Sequence, residues 1–100
     1  MTLEELTQFF KMIAPRASSI GARLKFDFGP DGVILLDATK SPAEVSNEDG
    51  ETDTLVRVSL KDFSAILAKE LPGDLAFAMG KLRISGDMIT GVRLTEILGR

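Results

Sequence analysis

Carboxylates and lysines are the side chains in this sequence that could do acid–base chemistry, because it contains neither histidine nor cysteine. Serine–histidine triads, thiolate nucleophiles and thiolate zinc sites are therefore excluded. Asp62, Lys69 and Asp87 are the candidates for a small enzyme that uses a carboxylate or an amine. No glycine-rich phosphate loop or dinucleotide fingerprint accompanies them. The catalytic inventory is poor, and we predict that the protein is not an enzyme.

One acidic stretch has the composition of a calcium-binding loop. In Asp49-Gly50-Glu51-Thr52-Asp53 the glycine comes four positions too early for an EF-hand loop, and the final bidentate glutamate is missing. The ordinary interpretation of such a stretch is a solvated acidic loop. We therefore predict no bound metal ion and no cofactor.

Basic residues form a second pattern, because they fall on the polar face of three predicted strands, at Arg23, Lys25, Arg57, Lys81 and Arg83. Such a row could make transient contact with an anionic membrane surface, but its ordinary interpretation is the solvated side of a sheet. The net charge of -3 is unlike that of proteins that bind nucleic acid, which favour a basic face. We expect no nucleic-acid partner.

Length and composition are typical of a globular protein. We expect a single domain over residues 1–100, of which 44% are hydrophobic. The beginning of the chain is acidic where a secretory signal is basic, and no apolar run approaches the ~20 residues of a membrane span. Since the sequence also lacks cysteine, nothing in it requires an oxidising compartment, and we expect a cytoplasmic location.

The elements that must position these residues follow from hydrophobic periodicity. A capping box at Thr2 begins an amphipathic helix that we predict to end before Pro15. A second helix is predicted from Ser59 to Pro72, and a short third helix over residues 75–79.

Alternating apolar and polar residues predict strands over residues 20–28, 54–60 and 81–85. Residues 33–36 are apolar on both faces, as in an inner strand, and the turn residues 29–32 would fold them back as a hairpin. A short strand could lie near residues 43–45. The order of these elements predicts an α+β domain with a mixed, mainly antiparallel sheet and helices packed on one face.

Residues 86–98 fit neither period. Their apolar side chains are spread around the whole circumference of a helix, and Gly91 lies in the middle. The segment is therefore either a strand or a helix surrounded by apolar material. The many apolar residues of the chain are explained by a normal packed core, or by a core in which some of them line a ligand cavity.

The stretch GKLRISGDM, residues 80–88, resembles a motif of the sterol carrier protein type 2 domain, the non-specific lipid-transfer module. In that family the motif is G-K-L-(K/R)-I-x-G followed by (D/N)-M. The similarity extends over residues 60–98, and residues 32–38 and 53–59 lie where the family's second and fourth strands would be. Residues 1–28 agree with the family in pattern only.

This resemblance implies a five-stranded sheet with helices over one face and an apolar tunnel between them. The tunnel would take fatty acyl chains, sterol- or isoprenoid-like molecules, phospholipids or acyl-coenzyme A. The terminal segment would be a helix capped by Asp87, acting either as a lid or as a helix held in a groove. The candidate ligand-binding residues are Phe63, Ile66, Leu67, Phe77, Met79, Met88, Ile89 and Val92.

The resulting hypothesis is a non-enzymatic protein that binds, and could transfer, a lipid or fatty acyl ligand. The alternative is an accessory or scaffold domain that serves a lipid-metabolising protein partner without itself transferring lipid.

Overall fold

The helices and strands follow one another from an N-terminal helix to a C-terminal helix. The computed structural model describes residues 1–98, except for the side chains of Val92 and of residues 95–98. Its elements are α1 (Leu3–Ala17), β1 (Arg23–Asp27), β2 (Val33–Asp37), β3 (Glu44–Ser46), β4 (Thr54–Val58), α2 (Leu60–Leu67), α3 (Gly73–Ala78), β5 (Leu82–Gly86) and α4 (Met88–Leu98).

The strands form one five-stranded sheet in the order β3-β2-β1-β4-β5. Only the β1–β4 pair is parallel, whereas β1–β2, β2–β3 and β4–β5 are antiparallel. The predicted mixed, mainly antiparallel sheet is thus confirmed. β2 is an inner strand, as its two apolar faces indicated, and the short strand expected near residue 44 forms the edge strand β3.

Alternation along the strands separates the two faces of the sheet. Leu24 and Phe26 of β1, and Val56 of β4, are buried on the face that the helices cover. The charged residues Arg23 and Arg57 lie on the opposite face, which is exposed or half-exposed. The helices therefore pack on one face of the sheet, as predicted.

The first helix is longer than predicted. It begins with the expected capping box, in which the Thr2 hydroxyl accepts from the Glu5 N–H at 3.1 Å and the Glu5 carboxylate accepts from the Thr2 N–H at 2.9 Å. The prediction that it ends before Pro15 is wrong, because the helix runs to Ala17. A proline in the last turn removes a single main-chain hydrogen bond, and the burial of Ala14 and Ala17 against the core favours continuing the helix.

The second helix is shorter than predicted. The Ser59 hydroxyl caps its start by accepting from the Asp62 N–H at 3.0 Å. It ends at Leu67 rather than near Pro72, because Lys69 adopts a left-handed conformation with φ of 61°. The chain after Leu67 is then free to turn across the face of the sheet.

The strand β1 also begins later than predicted. Residues 18–20 form a turn of 3-10 helix, and Gly21, with φ of 69°, redirects the chain into the strand. Ile20 is nevertheless buried, so the apolar alternation there identified core residues rather than strand residues. In residues 1–98, no helix combines the length and the hydropathy that crossing a membrane requires.

Candidate functional site

The covered face of the sheet has a densely packed half beneath α1. Leu6 and Phe10 of α1 are fully buried, as are Ile34 and Leu36 of β2. Four phenylalanines close this half towards β4: the ring centroids of Phe10 and Phe26 are 4.8 Å apart, and those of Phe26 and Phe63 are 5.7 Å apart. The fourth ring, Phe28, lies 5.8 Å from Phe63.

The other half of this face is hollow. A cavity of about 690 Å³ lies between the β1-β4-β5 part of the sheet and the helices α2, α3 and α4. Its volume is within the range of about 300–1,000 Å³ that is common for small-molecule sites. Its lining residues are Phe26, Val56, Phe63, Ile66, Leu67, Lys69, Leu71, Pro72, Gly73, Asp74, Phe77, Leu82, Ile84, Met88, Gly91 and Leu94.

Glycine allows α4 to lie directly over the edge strand β5. A Cβ atom at Gly91 would be 3.2 Å from Cγ2 and 3.3 Å from Cδ1 of Ile84, which is closer than ordinary contact. Gly91 and Leu94 are buried, so one side of α4 faces the cavity and the sheet. The final segment is a helix, which decides between the two alternatives that its sequence left open.

The start of α4 is attached to β4 by a short network. The Thr54 hydroxyl, which is fully buried, donates to the Asp87 carbonyl at 2.9 Å, and the Asp87 N–H donates to the Asp53 carbonyl at 3.2 Å. As predicted, the Asp87 carboxylate caps the helix by accepting from the Ile89 N–H at 3.0 Å and from the Thr90 hydroxyl at 2.9 Å. The Thr90 hydroxyl is the main cause that lowers the pKa of Asp87.

Exposed side chains mark the mouth of the cavity. Phe77 is 50% exposed and Met88 is 46% exposed, although both line it. The charged residues Lys69 and Asp74 also border the cavity and are exposed. An apolar chain would therefore fit inside, with a polar group left near water at the mouth.

Five of the eight predicted ligand-binding residues line this cavity: Phe63, Ile66, Leu67, Phe77 and Met88. Met79 and Ile89 are not among the lining residues, and they are 55% and 67% exposed. Met79 follows the last residue of α3, and Ile89 lies on the solvent side of α4. The side chain of Val92 lies outside the described residues.

The sheet residues that form the floor of the cavity were missed. Leu82 and Ile84 alternate with Lys81 and Arg83 in the GKLRISGDM motif, so their inward orientation was readable from the period of two. Phe26 was not distinguishable in this way, because the same alternation places both core and cavity residues on one face. Leu94 of α4 also lines the cavity, but residues 86–98 are apolar around the whole helix, so the sequence did not show that this leucine faces the cavity.

The candidates for acid–base chemistry are not brought together. Among the described residues, Lys69 lines the cavity, whereas Asp87 caps α4 and Asp62 lies in the first turn of α2. In residues 1–98 no three carboxylates are grouped in a way that could hold a metal ion. The carboxylate of Asp49, in the acidic loop, accepts from Lys25 Nζ at 2.8 Å.

Comparison with known proteins agrees with this architecture. The sequence profile of the SCP-2 sterol transfer family matches residues 3–99. Stomatin-like protein 1 of Mus musculus is 30% identical in an alignment of 87 residues that covers 81% of this chain and 22% of that protein. The chain thus spans about a fifth of the length of this curated relative.

Solved structures share the fold. Sterol carrier protein 2 of Yarrowia lipolytica in its apo form has a TM-score of 0.69 at 19% identity, covering 91% of this chain and 77% of that chain. A ubiquinone synthesis protein, UbiJ-SCP2, has a TM-score of 0.72 at 16% identity, with 96% and 91% covered. Palmitated SCP2L2 of Aedes aegypti has a TM-score of 0.64 at 23% identity, with 100% and 96% covered.

Proposed function

Because the chain belongs to the SCP-2 sterol transfer family, we propose that it binds the apolar chain of a lipid in the cavity beneath α2, α3 and α4, without catalysing a reaction. The observation that carries this proposal is the cavity of about 690 Å³, in which the charged lining residues Lys69 and Asp74 lie at the mouth. An amphiphile with a long apolar chain matches this distribution. We propose Phe63, Ile66, Leu67, Phe77 and Met88 as contacts of that chain, together with the floor residues of β4 and β5.

The energy of empty apolar space argues against a cavity that is sealed, dry and rigid. At about 24 cal/mol per Å³, a sealed and dry space of about 690 Å³ would cost about 17 kcal/mol. A typical domain has a total stability of about 5–15 kcal/mol. The cavity must therefore hold a ligand, admit water through its mouth or contract when it is empty.

A fatty acid is the first ligand to test, because the SCP2L2 relative of similar fold is described as palmitated. Native mass spectrometry of the purified protein, followed by organic extraction, should reveal a mixture of bound acyl chains. After lipid removal, palmitate at about 100 times its Kd should contribute about 2.7 kcal/mol of stability and raise Tm on the order of 10 °C. A lipid-free protein whose Tm palmitate leaves unchanged would contradict the proposal.

Two matched substitutions locate the binding. Ile66→Trp places an indole inside the cavity, whereas Ile89→Trp makes the same change on the solvent side of α4. If the indole displaces two methylenes of the chain, at about 0.8 kcal/mol each, palmitate should bind about tenfold more weakly. Ile89→Trp should leave the Kd unchanged. Equal effects of the two variants would place the ligand elsewhere.

A second candidate function is that of an accessory domain in a lipid-metabolising assembly. It is favoured by the fold shared with a ubiquinone synthesis protein and by the length of stomatin-like protein 1, several times that of this chain. The exposed apolar side chains of Leu75 in α3 and of Met79 directly after it would contact the partner. A stable partner in pull-downs without extractable lipid would favour this function. A cytoplasmic location belongs to both proposals, and cell fractionation tests it.

A further inference from the structure

The outer face of the sheet, opposite the cavity, carries its basic residues in two different environments. Near β2, the charges are balanced: Arg23 Nε lies 3.8 Å from Asp37 Oδ2, and Lys25 Nζ lies 2.8 Å from Asp49 Oδ1. The bond from Lys25 is the main cause that lowers the pKa of Asp49. This part of the row has little positive charge left for an external anion.

Near the edge strand β5, the positive charge is in excess. Arg57 of β4 and Arg83 of β5 are directly opposite each other in the antiparallel register, and Lys81 lies beside them. The nearby carboxylate is Asp27, whose Oδ2 lies 3.7 Å from Arg57 Nε. Among the described residues, Arg83 and Lys81 have no carboxylate partner within ion-pair distance. Like charges opposite each other on neighbouring strands destabilise a sheet unless an anion lies between them.

These side chains surround a shallow pocket of about 420 Å³, which Ser59 and Gly80 complete. Gly80 has φ of 76°, and a Cβ atom there would meet no atom within 4 Å, so this side of the pocket is open. The Ser59 hydroxyl accepts from the Asp62 N–H, and its own proton remains available for donation. The pocket thus offers guanidinium, ammonium and hydroxyl donors to one ligand.

We propose that the pocket formed by Arg57, Ser59, Lys81 and Arg83 binds a phosphate group. Three cations and the Asp27 carboxylate leave a net charge of about +2, which a phosphate dianion neutralises. Guanidinium groups match phosphate oxygens with two parallel hydrogen bonds, and such charge-assisted bonds are strong. The phosphate group belongs either to a lipid headgroup or to a free phosphoanion. The site lies outside the cavity, so it does not depend on the proposed lipid binding.

Inorganic pyrophosphate is the probe for the free anion. In a titration followed by amide chemical shifts, residues 57–59 and 80–83 should move. Arg83→Gln should weaken binding about tenfold, because it removes a bidentate contact. Lys81→Gln should weaken pyrophosphate binding less than Arg83→Gln does. Added salt should weaken the binding of pyrophosphate to the wild-type protein. The control is Arg23→Gln, which neutralises an arginine on the same face that already has a carboxylate partner.

Vesicles of phosphatidylcholine, with and without phosphatidic acid, distinguish the two sources. Binding to phosphatidic acid that Arg83→Gln abolishes, without binding of pyrophosphate, assigns the site to a lipid headgroup. The opposite result assigns it to a free phosphoanion. The proposal is overturned if the wild-type protein binds neither probe, or if Arg23→Gln weakens binding as much as Arg83→Gln.

Two controls separate a loss of phosphate binding from a loss of folding or of the cavity: the Tm and the palmitate affinity of Arg83→Gln. The Tm of Arg83→Gln should equal or exceed that of the wild type, because the substitution relieves repulsion from Arg57. Palmitate binding should be unchanged in this variant. Weaker palmitate binding in Ile66→Trp, with pyrophosphate binding unchanged, would show that the two sites are separate.

Discussion

Single residues decide how the chain passes from β5 into α4. Gly86 has φ of 94°, and a Cβ atom there would lie 2.2 Å from the Asp53 carbonyl oxygen. Because that oxygen belongs to the main chain and also accepts from the Asp87 N–H, it cannot move aside without breaking the network. The glycine of the GKLRISGDM motif is therefore required by close main-chain contact.

We expect Gly86→Ala to lower the free energy of unfolding by about 3 kcal/mol or more, through backbone strain and the clash with Asp53. The control is Gly73→Ala in α3, where a Cβ atom would meet nothing within 4 Å. That change should stabilise the protein by about 0.4–1 kcal/mol, because it restricts the unfolded chain. Urea unfolding measures both. Similar effects of the two substitutions would contradict the role assigned to Gly86.

At the level of elements, one sheet face supports two kinds of packing. α1 fills the space above β1, β2 and β3 with buried side chains, whereas α2, α3 and α4 enclose a hollow above β4 and β5. Phe26 and Phe63 separate the two halves, and each contacts the packed rings as well as the cavity. Stability and ligand binding should therefore depend on different sets of apolar residues.

Two leucines test this separation. Leu36→Ala, in the packed half, should cost about 3–5 kcal/mol, because the truncation creates a new cavity among close neighbours. Leu82→Ala borders space that already exists, so it should cost about 2 kcal/mol or less. We expect the order to reverse for palmitate affinity, which Leu82→Ala should weaken more. Thermal unfolding and palmitate titration of both variants provide the comparison, and equal losses of stability would argue against a hollow half.

For the molecule as a whole, hydrogen bonds to carboxylates link stability to pH. The pKa of Glu5 is lowered mainly by the Thr2 N–H and that of Asp37 mainly by the Thr39 hydroxyl. As described above, the pKa of Asp49 is lowered mainly by Lys25, and the pKa of Asp87 is lowered mainly by Thr90. In the basic range, hydrogen bonding to Glu44 raises the pKa of Lys40. Each carboxylate therefore favours the folded state when it is ionised.

A carboxylate whose pKa is lower in the folded state contributes its full stabilisation at pH values above its pKa in the unfolded state. This stabilisation is lost as the pH falls through its pKa in the folded state. The ordinary values are 3.8 for these aspartates and 4.5 for Glu5, so the urea midpoint should decline below about pH 4.5. The contribution of Lys40 is present below its ordinary value of 10.5 and is lost as the pH rises beyond it. Asp87→Asn should reduce the acid slope, and a midpoint that stays constant down to about pH 3 would contradict this account.

Local sequence patterns were sufficient to predict most of the strands, including β5 at the start of the GKLRISGDM motif, and the helix cap at the end of that motif. The alternation in residues 81–85 and the capping residue Asp87 act through neighbours in sequence, so their effects were readable. The carboxyl-terminal ends of α1 and α2 could not be predicted in this way. The left-handed conformation of Lys69 has no sequence signature, and the burial of Ala17 that extends α1 past Pro15 depends on distant contacts.

The sequence by itself determined the fold class, the apolar faces of α1, α2, β1, β4 and β5, and the family to which the chain belongs, because these depend on periodicity and on one motif. Only the tertiary structure decided which apolar residues border empty space. Phe26 and Leu24 have the same alternation in β1, but only Phe26 lines the cavity, because it lies beside Val56 of β4 and Phe63 of α2, which also line it. A void between elements is a property of their separation in space, which no local pattern records.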